Sequence, residues 1–195
     1  MEMLVMTWDK VHTSVLDLSR KIDESGFHPD TIVGVARGGW VVARLLSDLI
    51  GVDDLLSLRI TFYRGMNQRE AKPKIDHPIV GGIKGKRVLI ADDVADTGES
   101  LLLAVRHLSR LGASDIRVAT LHVKPWSKIT PDYYFGSSAN WIVYPWEYRE
   151  TMSSLIREWR KESLTPYEAK ERLVSSGIPA DIVERFFPKI AKEMH

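Results

Sequence analysis

The sequence contains no cysteine. That excludes disulfides, thiolate metal ligation and a thiol nucleophile, and it suits a reducing compartment, so a cytoplasmic location is expected. An excess of one charge is also lacking. The 27 Lys and Arg against 26 Asp and Glu leave a net charge of +1. Such a balance argues against a general nucleic-acid or membrane surface and makes electrostatic recognition a local matter. No apolar run approaches membrane-spanning length. The opening MEMLVMTWDK turns charged too soon for a secretory leader. The six histidines show no ligand spacing, so no zinc site is expected. Internal repeats and low-complexity tracts are absent as well.

What is present suits one domain with an appendage: 195 residues, 44% of them hydrophobic. The chain alternates between two periodicities. Val11, Val15, Leu18 and Ile22 recur at helical spacing. TIVGVA (31–36) is β-rich and runs into Arg37-Gly38-Gly39; WVVARLLSDLIG (40–51) reads as a helix ended by Gly51. LLSLRITFY (55–63) reads as a strand. RGMNQREAKPKIDHPIVGGIKGK (64–86) reads as a long basic loop, of a length that is usually functional or disordered. RVLIADD (87–93), ESLLLAVRHLSRLGA (99–113) and IRVATLHVK (116–124) follow as strand, helix and strand. This rhythm predicts an α/β fold with a mostly parallel sheet flanked by helices.

In such sheets ligands sit beyond the carboxyl ends of the strands, and the chemically distinctive residues gather there. They are Arg37-Gly38-Gly39, the turn from Asp92 to Ser100, and Lys124-Pro125. Cations, carboxylates and glycines on one rim suggest a polyanion, a divalent metal and hydroxyls to anchor. Gly98 opens a helix whose free amides and dipole suit a phosphate, with Thr97 and Ser100 adding hydroxyls. Asp92 and Asp93 make sense beside a phosphate if they accept from sugar hydroxyls or reach Mg²⁺. Asp96 then sits where a general acid or base belongs. Taken alone, Asp96 or Thr97 before a glycine is also a common helix cap. The buried strand and three acids in one turn favour a ligand.

VLIADDVADTGES (88–100) resembles the phosphoribosyl-pyrophosphate (PRPP) signature of type I phosphoribosyltransferases. MTWD (6–9) is similar to VTWD of the xanthine-guanine branch, and ARGGW (36–40) to the family's pyrophosphate loop. NQRE (67–70) falls where the mobile hood lies. Lys124-Pro125 and WIVYPWE (141–147) resemble purine-binding segments. The resemblance covers about three quarters of the chain. It implies a phosphoribosyltransferase domain over residues 1–150 with a hood loop at 63–86; residues 151–195 continue past the usual end of the family and read as a C-terminal all-helical appendage. The implied activity is transfer of 5-phosphoribosyl from PRPP to N9 of a 6-oxopurine (hypoxanthine, guanine or xanthine), giving a purine nucleoside monophosphate and pyrophosphate in purine salvage.

The resemblance also implies roles. Arg37, Gly38, Gly39 and Arg69 hold pyrophosphate, and the Ala36–Arg37 peptide can be cis. Asp92 and Asp93 take the ribose hydroxyls and, through them or through water, Mg²⁺. Ala95, Asp96, Thr97, Gly98, Glu99 and Ser100 surround the 5-phosphoribosyl group, with Asp96 catalytic at purine N7. Lys124, Trp141, Ile142 and Glu147 recognise the base. A homodimer or higher oligomer is the family expectation, with no nucleic-acid or membrane partner.

Two positions depart from the pattern. Phe62-Tyr63 stands where 6-oxopurine enzymes often have Ser-Tyr, and Val143 where the xanthine-guanine branch often has an acid. An adenine phosphoribosyltransferase therefore stays open, as does a non-catalytic PRPP-binding regulator. In the tail, Thr165-Pro166 with Glu168 reads as a capping box and Gly177 as a helix end. Leu155, Ile156, Trp159, Leu164, Leu173, Val174, Ile178, Ile182, Val183, Phe186, Phe187 and Ile190 are the expected apolar interior of two or three helices.

Overall fold

Six strands pair into one sheet in the order β4-β3-β2-β5-β6-β7. The computed structural model describes residues 2–63, 72–159 and 164–193. The strands are β2 (Thr31–Ala36), β3 (Leu55–Tyr63), β4 (Lys72–His77), β5 (Arg87–Ala95), β6 (Asp115–Val123) and β7 (Tyr133–Ser137). Every pairing is parallel except β3 with β4. Helices α2 (Gly38–Ile50) and α3 (Glu99–Arg110) make the β2–β3 and β5–β6 crossovers, and α1 (Trp8–Glu24) precedes β2. Chain order reverses at β2: β3 lies on one side of it and β5 on the other, so a crevice is expected at the carboxyl ends of β2 and β5.

Strand alternation distributes the core over both faces. Val33, Val35, Val88 and Ile90 cluster with Leu101, Ala104 and Leu108 of α3. Gly34, pointing to the opposite face, lies against α2. A Cβ there would stand 2.9 Å from the Cβ of Ala43 and 3.0 Å from the Trp40 ring, so the missing side chain lets α2 pack down on the sheet.

Part of the expected hood loop is strand. Lys72–His77 pairs antiparallel with β3, Tyr63 opposite Lys72 and Ile60 opposite Ile75. As the sheet's edge strand it tolerates Pro73, and its lysines blunt further pairing. Ile75 packs onto the core. Residues 64–71, with Arg69, lie outside the described residues.

The chain divides into two compact units, Val11–Ala139 and a second made of Met1–Lys10 with Asn140–His195. The second unit contains β1 (Met3–Val5) and β8 (Trp141–Val143), paired in parallel, then a 3₁₀ turn (Pro145–Glu147). Helices α4 (Tyr148–Trp159), α5 (Pro166–Ser175) and α6 (Ala180–Glu193) follow. The expected boundary at 150/151 falls inside α4. The three helices pack on one another. Their cluster, centred on Met152, Trp159, Leu173, Phe187 and Ile190, also takes in Val143 of β8 and Met3 and Val5 of β1.

The capping box forms as read: Thr165 Oγ1 accepts from the Glu168 amide at 3.3 Å, and Glu168 Oε2 from the Thr165 amide at 2.8 Å. Gly177 follows α5 at φ 97°, a conformation glycine adopts without a Cβ clash. Of the expected interior residues Val174 is the exception, 42% exposed. The inward stripe of α5 is set by Ala169 and Leu173 at i, i+4, and Val174 lies about 100° further round. Among the described residues no helix is long and apolar enough to cross a membrane.

Candidate active site

Strand β5 does not stop before its acids. It runs through Asp92, beside Thr120, and Val94, beside His122, to Ala95. Asp92 and Asp93 are therefore buried, at 8% and 7% exposure. Each carboxylate accepts from the next amide: Asp93 N–H to Asp92 Oδ1 at 3.0 Å, and Val94 N–H to Asp93 Oδ1 at 2.9 Å. The other face of this pair is met by the turn after β2. A Cβ on Gly38 would lie 1.7 Å from Asp93 Oδ2, and one on Gly39 2.7 Å from Asp92 Oδ1 and 2.5 Å from the Ala91 carbonyl. With no side chain at either glycine, the Arg37-Gly38-Gly39 turn and the two aspartates close into one assembly. The Ala36–Arg37 peptide is cis.

Beyond Ala95 the chain turns through Gly98, at φ 78°, into α3. Thr97 Oγ1 accepts from the Glu99 amide at 3.4 Å. A cavity of about 350 Å³ opens here, lined by Asp92, Asp96, Thr97, Gly98, Ser100 and Phe62 among others. Carboxylates stand on its strand side, and a helix N-terminus with two hydroxyls on the other. An anion fits the second and hydroxyl donors the first.

The segment after β6 clasps this turn. Lys124 N–H donates to the Ala95 carbonyl at 2.9 Å, and Lys128 N–H to that of Thr97 at 3.0 Å. Gly98 is packed against Ser127 and Ile129, where a Cβ would come within 2.8 Å and 2.7 Å of side-chain atoms. The Lys128 ammonium reaches Glu99 Oε1 at 2.5 Å. Trp126 Nε1–H donates to Asp96 Oδ1 at 2.9 Å, and the Lys124 ammonium stands 5.5 Å from the same indole's centroid. Lys124 is buried at 8% exposure. Burial lowers its pKa, and nearby Asp96 opposes that shift.

The sequence profile of the phosphoribosyl transferase domain matches residues 7–151. The chain belongs to the phosphoribosyl transferase family. Among curated proteins it is 28% identical over 144 residues to a xanthine-guanine phosphoribosyltransferase of Gluconobacter oxydans, covering 73% of this chain and 83% of that one. It is 30% identical over 120 residues to an orotate phosphoribosyltransferase of Oceanobacillus iheyensis, covering 60% and 55%. Among solved structures, the purine phosphoribosyltransferase of Pyrococcus horikoshii superposes with a TM-score of 0.70 at 42% identity, covering 75% of this chain and 95% of that one.

Within the phosphoribosyl transferase fold, the expected site residues sort into three groups. The cavity brings together Asp92, Ala95, Asp96, Thr97, Gly98 and Ser100. Asp93, Glu99, Gly38 and Lys124 join it by direct contact with those residues or their neighbours. Trp141, Ile142 and Glu147 belong to the second compact unit. There Trp141 pairs with Met3 in β1 and is half exposed, while Ile142 is buried. Glu147 ends the 3₁₀ turn, its amide donating to Tyr144. Near it an aromatic ladder not foreseen in the sequence stacks Tyr144 on Trp146 at 4.9 Å and Trp146 near Trp8 at 5.8 Å.

Trp126 was missed too. An N–H-bearing ring two residues past a rim lysine was the available signal. The donor set suits Mg²⁺, which takes one or two carboxylates plus substrate oxygens. Asp92 and Asp93 supply adjacent buried carboxylates.

His122, beside Val94 in the sheet, is 4% exposed and edge-on to Phe135. Burial, helped by Lys124, lowers its pKa from 6.5 to about 4. The fold thus holds the neutral ring, while the unfolded chain takes a proton first as pH falls. The stabilisation is complete above pH 6.5, lost progressively down to about 4, and flat below. The gap is worth about 3 kcal/mol. Denaturant unfolding between pH 7.5 and pH 4 is expected to show that much more loss in the native protein than in His122→Gln. Parallel pH profiles would refute it.

Proposed function

We propose that this phosphoribosyltransferase joins the ribosyl C1′ of PRPP to N9 of a 6-oxopurine. The observation that carries the reading is the cavity in which buried Asp92, with exposed Asp96 beside it, faces a helix N-terminus. A sugar 5-phosphate spans those two chemistries. The phosphate takes the amides of α3 and the hydroxyls of Thr97 and Ser100; the ribose hydroxyls donate to Asp92 and Asp93. The Arg37-Gly38-Gly39 turn, held against Asp93, is assigned to the departing pyrophosphate, with Arg37 as the cation that meets it. The 42% identity to a purine enzyme supports the base class. So does a buried lysine beside Asp96, since a 6-oxo group is an acceptor that Lys124 can meet.

In the reaction the C1′–O bond to pyrophosphate breaks as the N9–C1′ bond forms, and the bonding pair leaves with pyrophosphate. The sugar passes through an oxocarbenium-like state, as at other anomeric carbons. Asp92, Asp93 and Asp96 stabilise its positive charge, and Arg37 the negative charge that departs. The base must lose one proton, and Asp96 accepts it at N7. Mg²⁺, when bound by way of Asp92 and Asp93, adds positive charge at the diphosphate.

The test is pyrophosphate release from PRPP with hypoxanthine, guanine, xanthine and adenine in turn. Turnover is expected with at least one 6-oxopurine and at least about 10-fold less with adenine, whose 6-amino group presents donors to Lys124. Preference for adenine would overturn the base assignment. Saturable PRPP binding without turnover on any base would make the protein a PRPP-binding regulator.

A further inference from the structure

Five successive positions of the acidic turn are engaged by the six residues from Lys124 to Ile129. Ala95 and Thr97 are held through their carbonyls, Gly98 by packing and Glu99 by an ion pair. Those contacts fix the backbone. Asp96 is engaged differently: its carboxylate Oδ1 accepts the Trp126 indole N–H at 2.9 Å. Asp96 lines the cavity; Trp126 does not. The indole therefore approaches from outside the cavity wall. It is itself 55% exposed, so the ring is not there to fill a core. A tryptophan placed on the surface with its one donor on a carboxylate uses that donor to orient it.

We propose that Trp126 is a positioning residue. It ties down one oxygen of Asp96 so that the other faces the ring nitrogen of the bound base. This rests on the purine phosphoribosyltransferase reading, in which Asp96 takes the N7 proton. An exposed aspartate otherwise samples several rotamers, and a proton acceptor must lie within hydrogen-bond reach of the atom it serves. Trp126 also carries the Lys124 ammonium near its ring, so the two polar groups offered to the base share one support.

Trp126→Phe keeps the ring and removes the donor. It is expected to lower kcat about 10-fold on the preferred purine, with PRPP affinity and the thermal midpoint unchanged. Adding Trp126→Phe to Asp96→Asn should cost less than about twofold, because no proton acceptor is left to orient; a merely structural role would cost the same in both backgrounds. Unchanged kcat in Trp126→Phe, or equal losses in the two backgrounds, would overturn the proposal alone. A faster Trp126→Phe would also overturn it, by showing that the indole occludes Asp96. A native protein that turns over no purine would remove the underlying reading and this proposal with it.

Discussion

Replacing Asp96 with asparagine is expected to lower turnover by about 10²–10³-fold while the PRPP dissociation constant moves less than about threefold. The reason is the division of labour around the cavity. Phosphate and ribose recognition is assigned to Asp92, Asp93 and the start of α3, none of which the substitution touches. Asp96 faces the same cavity from the turn and holds the Trp126 N–H on one oxygen only. Asparagine can keep that bond through its amide oxygen, so the turn retains its shape. It has no basic oxygen to receive the N7 proton. Steady-state kinetics beside calorimetric PRPP titration separates the two effects. Equal losses in kcat and PRPP affinity would show that Asp96 anchors the sugar.

The second large effect concerns neighbouring glycines that should fail in different ways. The nearest atoms to an alanine Cβ at position 38 are those of the Asp93 carboxylate, 1.7 Å away at Oδ2. That side chain can swing aside, so Gly38→Ala should keep the fold within about 1 kcal/mol, yet lose at least about 10-fold in PRPP affinity as a ribose ligand is displaced. At position 39 the obstacles are the Ala91 carbonyl at 2.5 Å and the Asp92 Cα at 2.7 Å, which are backbone of the central strand. They yield only if β5 shifts, so Gly39→Ala should destabilise by about 1–3 kcal/mol. Chemical denaturation and PRPP calorimetry on both variants give the comparison. Native-like PRPP binding by Gly38→Ala would show that the turn and Asp93 are not coupled in holding the sugar.

The central strands were legible because their patterns are strong: β2 and β5 are almost continuously buried, and β6 is buried from Val118 to Val123. Asp92, Asp96 and Gly98 were legible because acids and a glycine after such a run have little structural purpose. The elements that escaped have weak local signals. β1 and β8 are three residues each, and they pair only because distant parts of the chain meet. β7 is mixed in exposure. β4 was obscured by its lysines and Pro73, which suit an edge strand and equally suit a loop. The link between Trp126 and Asp96 spans 30 residues and arises from the parallel pairing of β5 with β6, which sets their two carboxyl ends side by side. No spacing rule reports such a contact.

The second compact unit is sewn from both ends of the chain, with Met3 and Val5 completing a cluster whose other members run from Val143 to Ala191. During synthesis every strand of the six-stranded sheet precedes residue 140, whereas Met3 and Val5 of β1 await β8 and the helices that complete their cluster. At translation speeds of about 5–20 residues per second they wait roughly 3–10 s for the helices. Any message truncated before β8 releases a polypeptide in which β1 has no strand to pair with, the kind of open edge that chaperones and proteases recognise.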